Sequence, residues 1–242
     1  MPLLTVQDMH RLIEQDVQKM GFFAYDDLEP EEIDLKINEQ IYAFIEAVVD
    51  VTKGRKPKIG IVEGFQEDQV SLDSLRTIHL KDTSMTLADF SDGEKFDLPT
   101  NYLHHVKTKL GITYTCIEGG KSVTKTLVPK ATLRLGESQN IEIMRRSSFY
   151  KTKKESPLGE LVGSTVYIYE DSEFEITTAE LDYIKRPAKV TYVKDGGGSY
   201  DPINSIQCDL PDTVLYTIVN MTVLKILKVI ETKQQKIVNL QE

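Results

Sequence analysis

The chain has 242 residues, 40% hydrophobic and 28% charged, which supplies enough apolar content for a packed core and too much for a disordered or fibrous chain. Its formal net charge of −9 sits wholly in residues 1–50, which hold twelve acidic and three basic side chains, while the rest of the chain balances to zero. Phosphate binding draws on clustered Lys and Arg, so this balance argues against a protein whose main task is gripping nucleic acid and suits a surface past which DNA must move without sticking.

The opening MPLLTVQDMH lacks a basic region followed by an apolar run and a small-residue cleavage site, so no secretory signal is expected. The longest uncharged run, near Thr213 to Leu224, is broken by Asn and Thr, and neither a bilayer-spanning segment nor a membrane partner is expected. Cys116 and Cys208 have no metal-type spacing and are expected as free thiols of a reducing compartment.

In chain order, the first element is a helix over roughly Val6 to Met20, ended by Gly21. A longer helix opens at Pro30, where Glu31, Glu32 and Asp34 suit its positive dipole end. Ile33, Ile37, Ile41, Phe44, Ile45 and Val48 form its apolar stripe, and Lys53-Gly54 then Pro57 supply a stop. Residues 60–100 read as a short helix through Leu72, Leu75 and Ile78, followed by a loop.

Beyond Leu98-Pro99 the texture changes. Ile112, Tyr114 and Cys116 alternate with threonines, Gly119-Gly120 follows, and Val123 to Val128 alternates again, which predicts a β-hairpin. Further strands are expected at Ile141 to Met144, Val166 to Tyr169, Phe174 to Ile176 and Ala188 to Val193. Leu210-Pro211-Asp212 then opens a second long helix with the stripe Leu215, Val219, Val223, Ile226 and Ile230, continued by Ile237. Past Ile230 the sequence is largely polar, so the last turns are expected to leave this chain's own core and to fray or dock on a neighbour.

Few residues carry a chemical signal. His104 and His105 are adjacent in an extended segment, so their side chains point to opposite faces and cannot readily chelate one ion; this stretch reads as a hinge. His10 and His79 have no obvious third ligand. Gly196-Gly197-Gly198 matches no phosphate-binding loop, and the serines of RRSSFYKTKK have no nucleophile setting. The acidic run Asp26, Asp27, Glu29, Glu31, Glu32 and Asp34 is accounted for largely by the start of a helix. Arg145 to Lys154 holds five basic residues around Phe149 and Tyr150, a pattern that serves either single-strand binding or, more commonly, a solvated loop between strands or a loop that docks on an acidic neighbour. Residues 1–50 of a second copy would supply that acidity, through Arg145 and Arg146. No cofactor and no metal are expected, and no enzymatic activity.

The order of the motifs carries more than any one of them. A helix opens with a proline-acidic signature in LEPEEIDLKINEQIYAFI. A Leu-Pro turn then leads into a β region in LPTNYLHHVKTKL, which closes with Tyr, basic residues and Pro in LDYIKRPAKVTYV. A long helix follows a Leu-Pro pair. From Leu28 to the C-terminus this resembles the head-to-tail adaptor (ring, or connector) proteins of short-tailed bacteriophages, with those of crAss-like phages of Bacteroidetes the most similar. Glu29 and Asn101 depart from the pattern, standing where a Ser or Thr cap and an acidic turn residue are more usual.

The resemblance implies a virion structural protein at the portal vertex, assembled in the host cytoplasm. It implies a ring of about twelve copies stacked on the portal protein, with other tail ring or hub proteins as neighbours and double-stranded DNA passing transiently through the channel. The expected fold is α+β, a helical body from both ends of the chain and a central antiparallel β domain. Residues 1–98 form the N-terminal part of the body, 99–195 the β-rich domain, and 196–242 the long helix and tail. Leu98, Pro99 and Tyr102, with Tyr183, Lys185, Arg186 and Pro187, are expected to fix the β domain structurally, and the tail around Ile237 to meet the portal. The alternative function is a nucleic-acid-binding accessory protein using the 145–154 loop.

Overall fold

The computed structural model describes residues 4–19, 28–52 and 73–238. In chain order the helices are α1 (Val6–Lys19), α2 (Pro30–Thr52), α3 (Ile141–Arg146) and α4 (Asp212–Val238). The chain is α+β and divides into two compact units, Met1–Ile78 with Pro187–Glu242, and His79–Arg186. The first is helical and the second carries the sheets.

In the helical unit, α1 and α2 each pack on α4. A capping box starts α1: the Thr5 N–H donates to Asp8 Oδ2 at 3.0 Å and the Asp8 N–H to Thr5 Oγ1 at 3.2 Å. The Thr5 bonds hold the Asp8 carboxyl below its ordinary pKa. On α1, Val6, Met9, Ile13 and Val17 are buried, and on α2 the whole predicted stripe from Ile33 to Val48 is buried. On α4 the predicted stripe from Leu215 to Ile230 is buried too, widened by Val214, Ile218 and Leu227 because the helix is covered on two sides. Its 27 residues reach about 40 Å.

The sequence reading of α4 needs one correction. Asp212–Ile230 is 19 residues long with a mean hydropathy of 1.6, so by length and composition it could cross a membrane; half of its most apolar window is buried inside the protein. A helix packed on two neighbours is apolar over most of its circumference, which accounts for that hydropathy.

The β unit comprises β1 (His79–Met85), β2 (Ala88–Phe90), β3 (Gly93–Asp97), β4 (Tyr102–Glu118), β5 (Lys121–Thr126), β6 (Ala131–Thr132), β7 (Arg134–Gly136), β8 (Leu158–Val162), β9 (Thr165–Tyr169) and β10 (Phe174–Lys185). One sheet runs β1-β10-β4-β5 with β6 also on β4, and the other runs β2-β3-β9-β8-β7. Only the β7–β8 pair is parallel among the named strands. The two sheets share one core, with Phe96, Val166 and Ile168 from one meeting Leu110, Ile112, Phe174, Ile176 and Leu181 from the other. The predicted hairpin is β4–β5, turned by Gly119 and Gly120 at φ +59° and +79°, a pair of left-handed positions that favour glycine.

Three expectations are corrected here. Residues 79–97 form β1 to β3 instead of a loop, so the β unit begins at His79, not Pro99. Their pattern is faint because β1 and β2 are polar edge strands, and β1 carries a register shift between Leu80 and Thr83 that breaks the alternation. Ile141 to Met144 is helical in α3: a strand would put Ile141 and Ile143 on one face, yet Ile141 is buried and Ile143 is 70% exposed, while Met144 packs beside Ile141. Ala188 to Val193 joins no sheet; it belongs to the helical unit, where side chains of α2 and an isolated bridge from Thr191 to Ile206 take up its backbone groups. The unit boundary therefore falls at Arg186, nine residues before the expected one at 195. The expected stops at Gly21 and Lys53–Pro57, and the whole of the 60–72 segment, lie outside the described residues.

Candidate functional site

The two motifs singled out for fixing the β unit meet in space. The Leu98-Pro99-Thr100-Asn101 turn closes with the Tyr102 N–H donating to Pro99 O at 2.9 Å, and the Leu98 N–H reaches Ser164 O at 2.8 Å. Tyr102 starts β4 and lies opposite Lys185 at the end of β10. Asn101 is the link: its Oδ1 accepts the Tyr183 hydroxyl at 3.0 Å and its backbone O accepts the Arg186 N–H at 2.6 Å. The Tyr102 and Tyr183 rings stack at 6.0 Å, and burial pushes the Tyr102 hydroxyl above its ordinary pKa. Residues some eighty positions apart thus form one clasp at the end of the β4–β10 ladder, and Pro187, the next residue, begins the returning part of the helical unit.

Asn101, read in the sequence as a departure from the pattern, makes the clasp's two longest-range bonds. An acidic side chain there could also accept from Tyr183, so the departure preserves the acceptor and removes a charge. His104 and His105 follow in β4, with His105 Nε2 within 2.9 Å of Thr108 Oγ1.

The basic segment is less free than its composition implied. Arg145 sits 2.7 Å from Asp92 and 3.4 Å from Glu142, with its guanidinium 4.4 Å above the Tyr169 ring. Lys151 is 3.7 Å from Asp171, and Lys154 lies 4.2 Å over the Tyr114 ring. Arg134 donates to the carbonyls of Tyr150 and Lys151 and so fixes the path of the segment. What faces outward is Arg146, whose side chain is 85% exposed, with Lys153, Phe149 and Tyr150. Ile237 falls in the last turn of α4, where the backbone alone is described.

The helical unit holds a buried polar network that the sequence reading missed. His10 Nε2 and Asp34 Oδ1 are 2.8 Å apart, and Asp34 Oδ2 accepts the Tyr192 N–H at 2.8 Å. Asn38 takes both backbone groups of Val190, accepting its N–H at 2.9 Å and donating to its O at 2.9 Å. His10 stacks on Tyr192 at 4.6 Å and Tyr192 on Tyr200 at 5.2 Å. Asp34 is thus a buried acceptor joining α1, α2 and the returning segment, and not a dipole charge as its run implied; Asp26 and Asp27 lie outside the described residues. A cavity of about 580 Å³ opens beside His10, Glu14, Tyr192 and Lys194. Its lining holds no Ser, Thr or Cys. Among the described residues no group of three His, Cys, Asp or Glu side chains is placed to hold a metal ion.

The apolar position of Asn38 and Asp34 on α2 was the available signal: both fall on its inner face, in step with Ile33, Ile37 and Ile41, where a polar side chain needs a specific partner. The Thr5-x-x-Asp8 spacing was a second signal, readable as a capping box. No protein-family model matches the chain, and no curated protein matches it.

Proposed function

We propose that this chain is a non-enzymatic structural subunit of a tailed virion, a connector that forms a ring below the portal, joins capsid to tail and lines the DNA channel. The observation that carries the reading is the Asn101 clasp. The Leu-Pro turn and the motif of Tyr183, Lys185, Arg186 and Pro187, which give the resemblance to phage adaptors its order, meet at one end of a β unit that lies in sequence between the two segments of the helical unit. Structural motifs of this kind need no reacting group, and the clasp residues bond to one another. The concentration of negative charge in residues 1–50 fits a surface that DNA passes without binding.

The test is peptide mass spectrometry on purified tailed particles, quantified against the portal protein. Near-equal copy number is expected, and absence from clean, intact particles overturns the reading. Truncation from Lys233 is expected to abolish docking on the portal while leaving the far-ultraviolet spectrum of the remaining chain folded; retained docking removes the tail's role.

A second reading, a nucleic-acid-binding accessory protein, has one observation in its favour: Phe149 and Tyr150 are 80% and 57% exposed beside Arg146. It requires salt-dependent DNA binding that is lost on Arg146→Ala with Phe149→Ala.

A further inference from the structure

We propose that the outward face of α2 on one copy packs against the outward face of α4 on the next copy of this chain. This rests on the ring reading and names the surface that would close the ring.

The face of α2 turned away from its core carries Glu32, Leu35, Glu39, Tyr42 and Glu46, at steps of three and four residues, so they form one continuous stripe. Leu35 is 53% and Tyr42 36% exposed, two apolar side chains one heptad apart, framed by three carboxylates on the same spacing, of which Glu39 also accepts Lys36 Nζ at 3.0 Å. The outward face of α4 carries Tyr216, Asn220, Leu224, Lys225 and Lys228. Tyr216 is 54% and Leu224 59% exposed. From Thr213 to Ile230 the only charged residues are Lys225 and Lys228.

The two stripes match in length, charge and chemistry. Glu32 to Glu46 spans about 21 Å of helix and Tyr216 to Lys228 about 18 Å. Each presents an apolar pair, one rimmed by carboxylates and the other by ammonium groups. Two α2 faces brought together would oppose their carboxylates, and two α4 faces would oppose their lysines. The favoured pairing is therefore α2 against α4, which uses different patches on the two copies. Such a heterologous contact repeats by rotation and closes into a ring when the rotation permits. Burying Leu35, Tyr42, Tyr216 and Leu224 supplies the attraction, and the charges choose the partner face.

The experiment uses the full chain in two variants, Glu39→Lys with Glu46→Lys, and Lys225→Glu with Lys228→Glu, followed by sedimentation velocity over a concentration series at low salt. Wild type is expected to self-associate and each variant alone to do so at least about tenfold more weakly, because both of its faces then carry the same sign. An equimolar mixture is expected to recover association, since each variant then offers the face the other lacks. Recovery also shows that both variants are folded. Variants that associate like wild type, or a mixture that does not recover, overturn the surface and leave the ring reading to the particle copy number. Wild type that stays monomeric at every soluble concentration overturns the contact as a self-association surface. A particle ratio far from one subunit per portal subunit overturns the ring reading itself.

Discussion

At the scale of single residues, buried polar side chains hold the helical unit together in ways that apolar periodicity does not reveal. Asn38 satisfies both backbone groups of Val190, so Asn38→Leu leaves a buried N–H and a buried C=O without partners. A loss of about 2 to 4 kcal/mol is expected, read as a lower urea midpoint by circular dichroism at the helical band. The outer-face substitution Glu39→Gln, at an exposed i,i+3 pair with Lys36, is the control and should leave the midpoint within about 0.5 kcal/mol. Cys208 gives a prediction in pH. Burial raises its thiol from the ordinary 9.0 to about 11, so the folded chain keeps the proton through a range in which the unfolded chain releases it. Its contribution is intact below pH 9 and is lost as pH rises toward 11, a fall of about 2 to 3 kcal/mol. The difference in unfolding free energy between wild type and Cys208→Ala should therefore shrink across that range. A difference that stays constant from pH 8 to 11 removes the assignment.

Elements show where a sequence is legible and where it is not. The stripes of α2 and α4 were readable because each helix is long and one face meets a core over many turns. The β4–β5 hairpin was readable because Gly119-Gly120 sits between two alternating runs. β1 and β2 were hidden by their polar edges. α3 was hidden because six residues are too few to separate a helical period from an alternating one, and the partner that decides it, the small cluster of Leu158 and Tyr169, is distant in sequence. The basic segment is the instructive failure at the candidate site: five positive residues read as one surface, yet Arg145 is committed to Asp92 and to the Tyr169 ring. Arg145→Ala should destabilise the β unit by about 1 kcal/mol, whereas Arg146→Ala should fall within about 0.5 kcal/mol of wild type, both by urea unfolding. Within the hairpin, β10 reaches only as far as Tyr114 on β4, so residues 115–124 form a two-stranded ribbon without that third strand. Amide exchange there should be at least about tenfold faster than in residues 108–112, which lie between β10 and the β5–β6 edge. Equal protection along the whole of β4 would mean that the ribbon has another partner.

For the whole molecule, the division of the chain explains why the clasp sits where it does. The β unit starts at His79 and ends at Arg186, and its first and last strands are neighbours in the sheet, with His79 opposite Ile184. Antiparallel partners of this kind place their Cα atoms about 5 Å apart, so the two ends leave the β unit side by side. An insertion with adjacent ends disturbs its host little, because the host chain is interrupted without being stretched. The core of the β unit is drawn from its own two sheets, and the Asn101 bonds to Tyr183 and Arg186 lie within it. A fragment of residues 79–186 therefore contains its complete core and its own closure. It is expected to fold alone, with a dispersed amide spectrum and a single cooperative urea transition. In that fragment Asn101→Ala should cost about 1 to 2 kcal/mol through the Tyr183 bond, and Asn101→Asp should recover most of it because the carboxylate also accepts from the hydroxyl. A collapsed fragment without dispersion would show that the sheets depend on the helical unit, and the clasp would then be a product of the whole fold instead of the lock on an independent insertion.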